Sequence, residues 1–67
     1  MSVAKIMELS SESKESFGDA IQKGVKRATK TLENVKSAWI EDQEVMLNNG
    51  RISGYKVHMK VTFVLDE

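Results

Sequence analysis

The stretch Tyr55-Lys56-Val57-His58-Met59-Lys60-Val61-Thr62-Phe63-Val64-Leu65 decides the fold of this chain. Tyr55, Val57, Met59, Val61, Phe63 and Leu65 fall on one side of an extended ribbon, and Lys56, His58, Lys60 and Thr62 on the other. Successive side chains of a strand point to opposite faces, so this pattern predicts a strand with one apolar and one charged face. Val64 alone breaks the alternation. An apolar ribbon needs a cover, and a chain this short has one element able to supply it.

That element precedes it. Phe17, Ala20, Ile21, Gly24, Val25, Ala28 and Leu32 recur every three or four residues, which makes a continuous apolar stripe along a helix. Lys14, Asp19, Lys23, Lys26, Arg27, Lys30 and Glu33 take the opposite, solvated face. Ser13 is the expected N-cap, with Glu15 in the first turn where the helix dipole favours an anion. Gly24 costs the helix roughly 1 kcal/mol relative to Ala, so its place in the stripe predicts a close approach of helix to sheet.

Outward from these two elements, Val3–Leu9 reads as a first strand and Ser10-Ser11-Glu12-Ser13 as a loop. Ser37–Leu47 reads as a second strand carrying Glu41, Asp42 and Glu44. Asn48-Asn49-Gly50 is a tight reversal, because Asn and Gly accept the positive φ of hairpin turns. Gly54, at the start of the last strand, predicts a bulge or a close backbone contact. The expected fold class is α+β: a β-α-β-β chain whose three-stranded antiparallel sheet packs one face on one helix. The other face, with Trp39 and Val64, stays open in a lone subunit and invites burial in an assembly.

Size and composition narrow the function. Sixty-seven residues give a single domain, 1–67, which buries only about 60% of its unfolded surface and is marginal alone. Small domains of this kind rely on disulfides, a structural metal or self-association. The chain has no cysteine and one histidine, which removes disulfides and thiolate or multi-histidine metal sites within one chain and leaves self-association. Ten basic and ten acidic residues cancel, against the net basic surface of a nucleic-acid binder. No apolar run approaches the roughly 20 residues of a membrane span, and Lys5 and Glu8 interrupt any signal-like core. A cytoplasmic protein is expected. Ser16 and the other serines lack a histidine–acid partner pattern, so no catalytic residue and no enzyme are expected.

The order of Ser13-Lys14-Glu15-Ser16-Phe17, Ala28-Thr29-Lys30-Thr31-Leu32, Asn34-Val35, Asp42-Gln43, Asn49-Gly50-Arg51-Ile52, Tyr55-Lys56-Val57 and Val61-Thr62-Phe63 resembles a dodecin over nearly the whole chain. The resemblance implies the β-α-β-β fold, a hollow homododecamer, and non-catalytic storage and protection of a flavin, FMN or riboflavin. In that family a tryptophan stacks on the flavin and a glutamine bonds it. Here the tryptophan position is Ser37, with Trp39 two residues on, and the glutamine position is Lys56. Dodecin-like proteins without the tryptophan include some described as binding calcium, and they share an acid-Gln-acid run like Asp42-Gln43-Glu44.

The candidate flavin-binding residues are therefore Trp39, Lys56, Ser37 and Gln43. Residues 37 and 39 share a strand face about 6.5–7 Å apart, so a tryptophan shifted by two still presents its ring on the same side. Lys56 can donate to the flavin ring or attract a phosphate, which suits FMN better than riboflavin. Trp39 serves equally well as a packing contact between subunits. Lys56, His58 and Lys60 form either a positive ligand rim or a salt-bridged strand face. Asp42 and Glu44 are the candidate ligands for a hard cation such as Ca or Mg, in a flavin-free assembly steadied by divalent ions. Glu41 joins them as a candidate oxygen ligand, and inter-subunit bridges from Glu41, Asp42 or Glu44 to Arg51, Lys56 or Lys60 are the other use for these acids.

Overall fold

In the computed structural model, residues 3–65 are described, in the order β1 (Val3–Ser13), α1 (Phe17–Thr31), β2 (Val35–Asn48) and β3 (Arg51–Leu65). The sheet is antiparallel with strand order β1-β3-β2, so the alternating segment is its central strand. Val57, Met59 and Val61 from that strand are buried against Ala20 and Ala28 of the helix. Phe17, Ile21, Val25 and Leu32 of the helix, with Met7, Leu9, Val35, Ala38 and Ile40 of the outer strands, close around them. Phe17 meets Tyr55 edge-to-face at 5.1 Å between ring centroids, a geometry that adds about 0.5–1.5 kcal/mol beyond burial.

Gly24 sits where helix and sheet come closest. A methyl group there would lie 2.9 Å from Met59 Cε, 3.2 Å from Ser11 Cβ and 3.3 Å from Leu9 Cδ1. A side chain there would have to push the Met59 methyl aside and move Ser11 and Leu9 by a few tenths of an ångström. At the hairpin tip Asn49 and Gly50 both have positive φ, 54° and 77°, the conformation that lets a two-residue turn match the twist of its strands. Asn34 is left-handed as well, at 60°. Its carbonyl accepts the Val64 N–H at 3.0 Å, which ties the entry to β2 onto β3.

The helix start differs from the sequence expectation. Ser16, with extended backbone, is the N-cap, and its Oγ accepts the Asp19 N–H at 2.9 Å. Ser13 is still strand, paired with Tyr55. The expected Ser10–Ser13 loop is strand too, because His58, Val57, Lys56 and Tyr55 of β3 offer it partners one by one. A continuous ladder satisfies more backbone groups than serine side chains can. Ser13 Oγ instead donates to the Asp19 carboxylate and accepts the Glu15 N–H at 2.9 Å. That hydroxyl, then Lys23 at 3.0 Å, holds the Asp19 carboxyl below the usual range.

The strands outrun the helix, and the molecule measures 51 × 19 × 13 Å. Its radius of gyration is 13.8 Å, against about 11 Å for a compact chain of this length. It exposes 5037 Å², where a folded monomer of its mass exposes about 4,250 Å². Leu47 and Ile52, a cross-strand pair beside the turn, are 63% and 54% exposed. Among the described residues no helix is long and apolar enough to cross a membrane.

Candidate functional site

The charged side of β3 faces away from the helix, and the register fixes what stands beside it. Lys56 lies between Glu12 and Glu44, His58 between Ser10 and Asp42, Lys60 between Glu8 and Trp39, and Thr62 between Ile6 and Ser37. Directly opposed residues in an antiparallel pair share a face, so these four rows form one open surface.

Two irregularities shape it. The register shifts between Met46 and Leu47, leaving Ser53 as an extra residue on β3, and again between Ile40 and Asp42, leaving Glu41 extra on β2. Such bulges place two residues against one and re-aim side chains. Met46 packs beside buried Gly54 next to the first of them, the irregularity that Gly54 signals in the sequence. Along an unbroken strand Trp39, Glu41 and Gln43 would share a face, with Asp42 and Glu44 on the other. The bulge at Glu41 brings Asp42 and Glu44 to the side of Trp39 and turns Gln43 away, opposite Val57.

Trp39 is 65% exposed. Lys60 Nζ lies over its ring, 5.5 Å from the centroid, and 3.2 Å from Glu41 Oε2. The ammonium is thus held between an indole and a carboxylate, a cation–π contact of about 0.5–1 kcal/mol at an exposed site. Lys60 covers part of the indole, and Trp39 as a whole stays 65% exposed. Lys56 Nζ approaches Glu44 Oε1 at 4.0 Å, and His58 Nε2 lies 3.5 Å from Glu44 Oε1 and 3.9 Å from Asp42 Oδ1. The two sequence readings of the lysine and histidine row were a positive rim and a salt-bridged face. Within one chain the two lysines take the salt-bridged geometry.

Of the candidate flavin contacts, Ser37 and Trp39 stand on the open face at adjoining rows, and Lys56 stands on that face about 13 Å along the strand from Lys60. Gln43 is on the helix side of the sheet, exposed at the edge. Lys60, the cation at the indole, and Glu41, which fixes it, are joined within one chain, where the sequence reading set such a bridge between subunits. Counting back from the two-residue turn does oppose Trp39 to Lys60, because the two bulges cancel by that point. The same count opposes Gln43 to Lys56, which the bulge at Ser53 prevents. Asp42 and Glu44, the candidate cation ligands, converge on His58. Among the described residues no group of three or more His, Asp or Glu side chains is arranged to hold a metal ion.

An exposed indole on a largely polar sheet face fits a flat aromatic ligand, since offset stacking adds to area burial. Comparison with known proteins bears on which one. The family described as Dodecin matches residues 3–66. The solved dodecin from Streptomyces davaonensis is 33% identical, superposes with a TM-score of 0.92, and is matched over 98% of this chain and 97% of its own. A point mutant of Thermus thermophilus dodecin is 30% identical with a TM-score of 0.93, over 100% of both chains. A dodecin from Streptomyces coelicolor is 21% identical with a TM-score of 0.92, over 98% of this chain and 94% of its own, and carries the likeness of fold alone. No curated protein sequence matches.

Proposed function

The chain belongs to the dodecin family, and from that premise we propose that it binds a flavin, FMN or riboflavin, in a homododecamer that stores and protects the cofactor in the cytoplasm without catalysis. The observation that carries this reading is Trp39, 65% exposed and held on the open sheet face. A lone subunit gains little by displaying its one tryptophan to water.

A bound flavin supplies a planar, redox-active ring whose excited state an indole can quench on contact. Trp39 offers the stacking surface, on the side that Lys60 leaves uncovered. Ser37, one row away, offers a hydroxyl to the rim of the ring. Lys56 and Gln43 reach the same ring only from a neighbouring copy, given the distance of the first and the helix-side position of the second. A shared site explains why a chain so extended persists. The 51 Å length, the excess surface and the exposed Leu47, Ile52 and Ile6 all call for copies that cover them.

Titration of riboflavin and of FMN into the purified protein tests the proposal. Fluorescence of at least one flavin is expected to fall to a saturating plateau, and Trp39→Ala to abolish the loss while circular dichroism stays unchanged. Light scattering is expected to give an assembly near twelve subunits; a monodisperse species of 7.5 kDa would refute the assembly. If flavin fluorescence never changes and EDTA dissociates the particle, a cation-stabilised assembly held through Asp42 and Glu44 replaces the flavin reading.

A further inference from the structure

From the charges left unanswered on the outer face of α1 we infer that this face docks on an anionic lipid surface; the inference stands apart from the flavin reading. Lys23, Lys26, Arg27 and Lys30 are all exposed, against Asp19 as the one acid of the helix. At about 100° of turn and 1.5 Å of rise per residue, the four cations fall within an arc of about 100° and span about 10 Å along the axis. Ala20, Gly24 and Ala28 hold the other side of the helix against the sheet, so the stripe faces outward. Lys14 and Glu15, ahead of the N-cap, cancel, and Glu33 lies beyond the last turn.

Ion pairing is shared unevenly between the two sides of the molecule. On the open sheet face Lys56 lies 4.0 Å from Glu44 and Lys60 3.2 Å from Glu41. On the helix, Lys23 has Asp19 at 3.0 Å. Among the described residues no carboxylate lies within 4.0 Å of Lys26, Arg27 or Lys30. A cation in the last turn answers the helix dipole, and Lys30 is that one; the reach of the dipole ends with the turn. Lys26 and Arg27 keep their charge in the open with no partner inside the fold.

Among the described residues the exposed large apolar side chains all belong to the strands. Copies that gather to cover them leave the helix face wet and repeat it once per subunit. That face has no apolar group to wedge between lipids and no aromatic to stack on a base, for Phe17 is packed on Tyr55. It offers positive charge alone. A cluster of four basic residues on an amphipathic helix is what anionic headgroups attract, at roughly fivefold in affinity per cation near the surface. A nucleic-acid duplex calls for a net basic particle, which ten basic and ten acidic residues do not make. A lipid surface calls for one such face, and its repeats on one particle add through effective concentration. The contact is peripheral, since no helix among the described residues is long and apolar enough to cross a membrane.

The test is co-sedimentation of the purified protein with vesicles of phosphatidylcholine, alone or with about one-third phosphatidylserine. Binding to the anionic vesicles only is expected in about 0.1 M NaCl, with release in about 1 M, where the screening length falls to about 3 Å. Lys26→Gln with Arg27→Gln and Lys30→Gln is expected to weaken binding about a hundredfold. Lys26→Arg with Lys30→Arg keeps the charge and is expected to bind as wild type does. Lys5→Gln with Lys36→Gln and Arg51→Gln takes the same charge from the strands and is expected to keep most of the binding, with circular dichroism and light scattering unchanged in every variant. If the strand variant loses as much as the helix variant, net charge decides and the helix face does not. Equal binding to both kinds of vesicle, or a helix variant that binds undiminished, overturns the proposal. So does binding to duplex DNA in the same salt with the vesicles left bare, which would make the face a reader of nucleic-acid backbone. A flavin titration of the same sample is independent of each of these results.

Discussion

Replacing Gly24 by alanine measures how tightly the helix is pressed on the sheet. In an exposed helix the change stabilises by roughly 1 kcal/mol, through helix propensity and a stiffer unfolded chain. Here the new methyl would stand 2.9 Å from Met59 Cε, 3.2 Å from Ser11 Cβ and 3.3 Å from Leu9 Cδ1. The Met59 methyl is the end of a flexible side chain and can swing aside, although Met59 is 1% exposed. Ser11 Cβ is bonded to the β1 backbone, so relief there means lifting the helix by a few tenths of an ångström. Overpacking of this kind costs about 1–3 kcal/mol. The net is a loss of about 1 kcal/mol, or roughly 4–8 °C in midpoint for a domain of this size. Urea unfolding of both proteins, at one protomer concentration because assembly contributes to stability, reads it directly. An alanine variant more stable than wild type by the full helix gain, with unchanged assembly, would refute the close contact.

Asp19→Asn should lower stability at neutral pH and lose that effect in acid. The Asp19 carboxyl is held below its usual value by Ser13 and Lys23, so the charged form is favoured in the folded state. Its contribution is complete above the unfolded value near 3.9 and vanishes as pH falls through the lower folded value; a gap between variant and wild type that stays constant from pH 7 to pH 2 would overturn this. Gly50→Ala, at φ 77° with open space around it, should cost about 1 kcal/mol through backbone strain alone, read as a shift in urea midpoint. Leu47→Glu with Ile52→Glu should dissociate the assembly seen by light scattering while the circular dichroism of the subunit persists, since both side chains are more than half exposed in their own chain. Intact particles would remove the hairpin tip from the interface.

The helix stripe, the central strand and the Asn49-Gly50 turn were legible because each rests on a short-range rule: a period of 3.6, a period of two, a tolerance for positive φ. The ends of the elements were not. Ser10 to Ser13 reads as loop from side-chain chemistry, yet β3 is long enough to keep pairing with it, and a partner strand is not a local property. The site was legible in its parts and not in its arrangement. Ser37 and Trp39 follow period two, as expected. Gln43 does not, because Glu41 intervenes as an extra residue and reverses the alternation beyond it. A bulge in mid-strand leaves no dependable mark in composition. Glu41 is one acid among four polar residues in a row, and only the count of partners on β3 singles it out.

The strand order has a further cost and a further use. With β3 in the middle, β1 and β2 each leave one side of their backbone unpaired. β2 is guarded, for its two irregularities at Lys36 and Glu41 disturb any regular ladder a stranger might build on it. β1 runs through its eleven residues without a register shift and without proline. That margin is a template for growth. Copies that meet it through a closed symmetry end as finite particles, and copies that meet it head to tail do not end at all. Fibres, not free subunits, are the expected by-product when assembly goes astray.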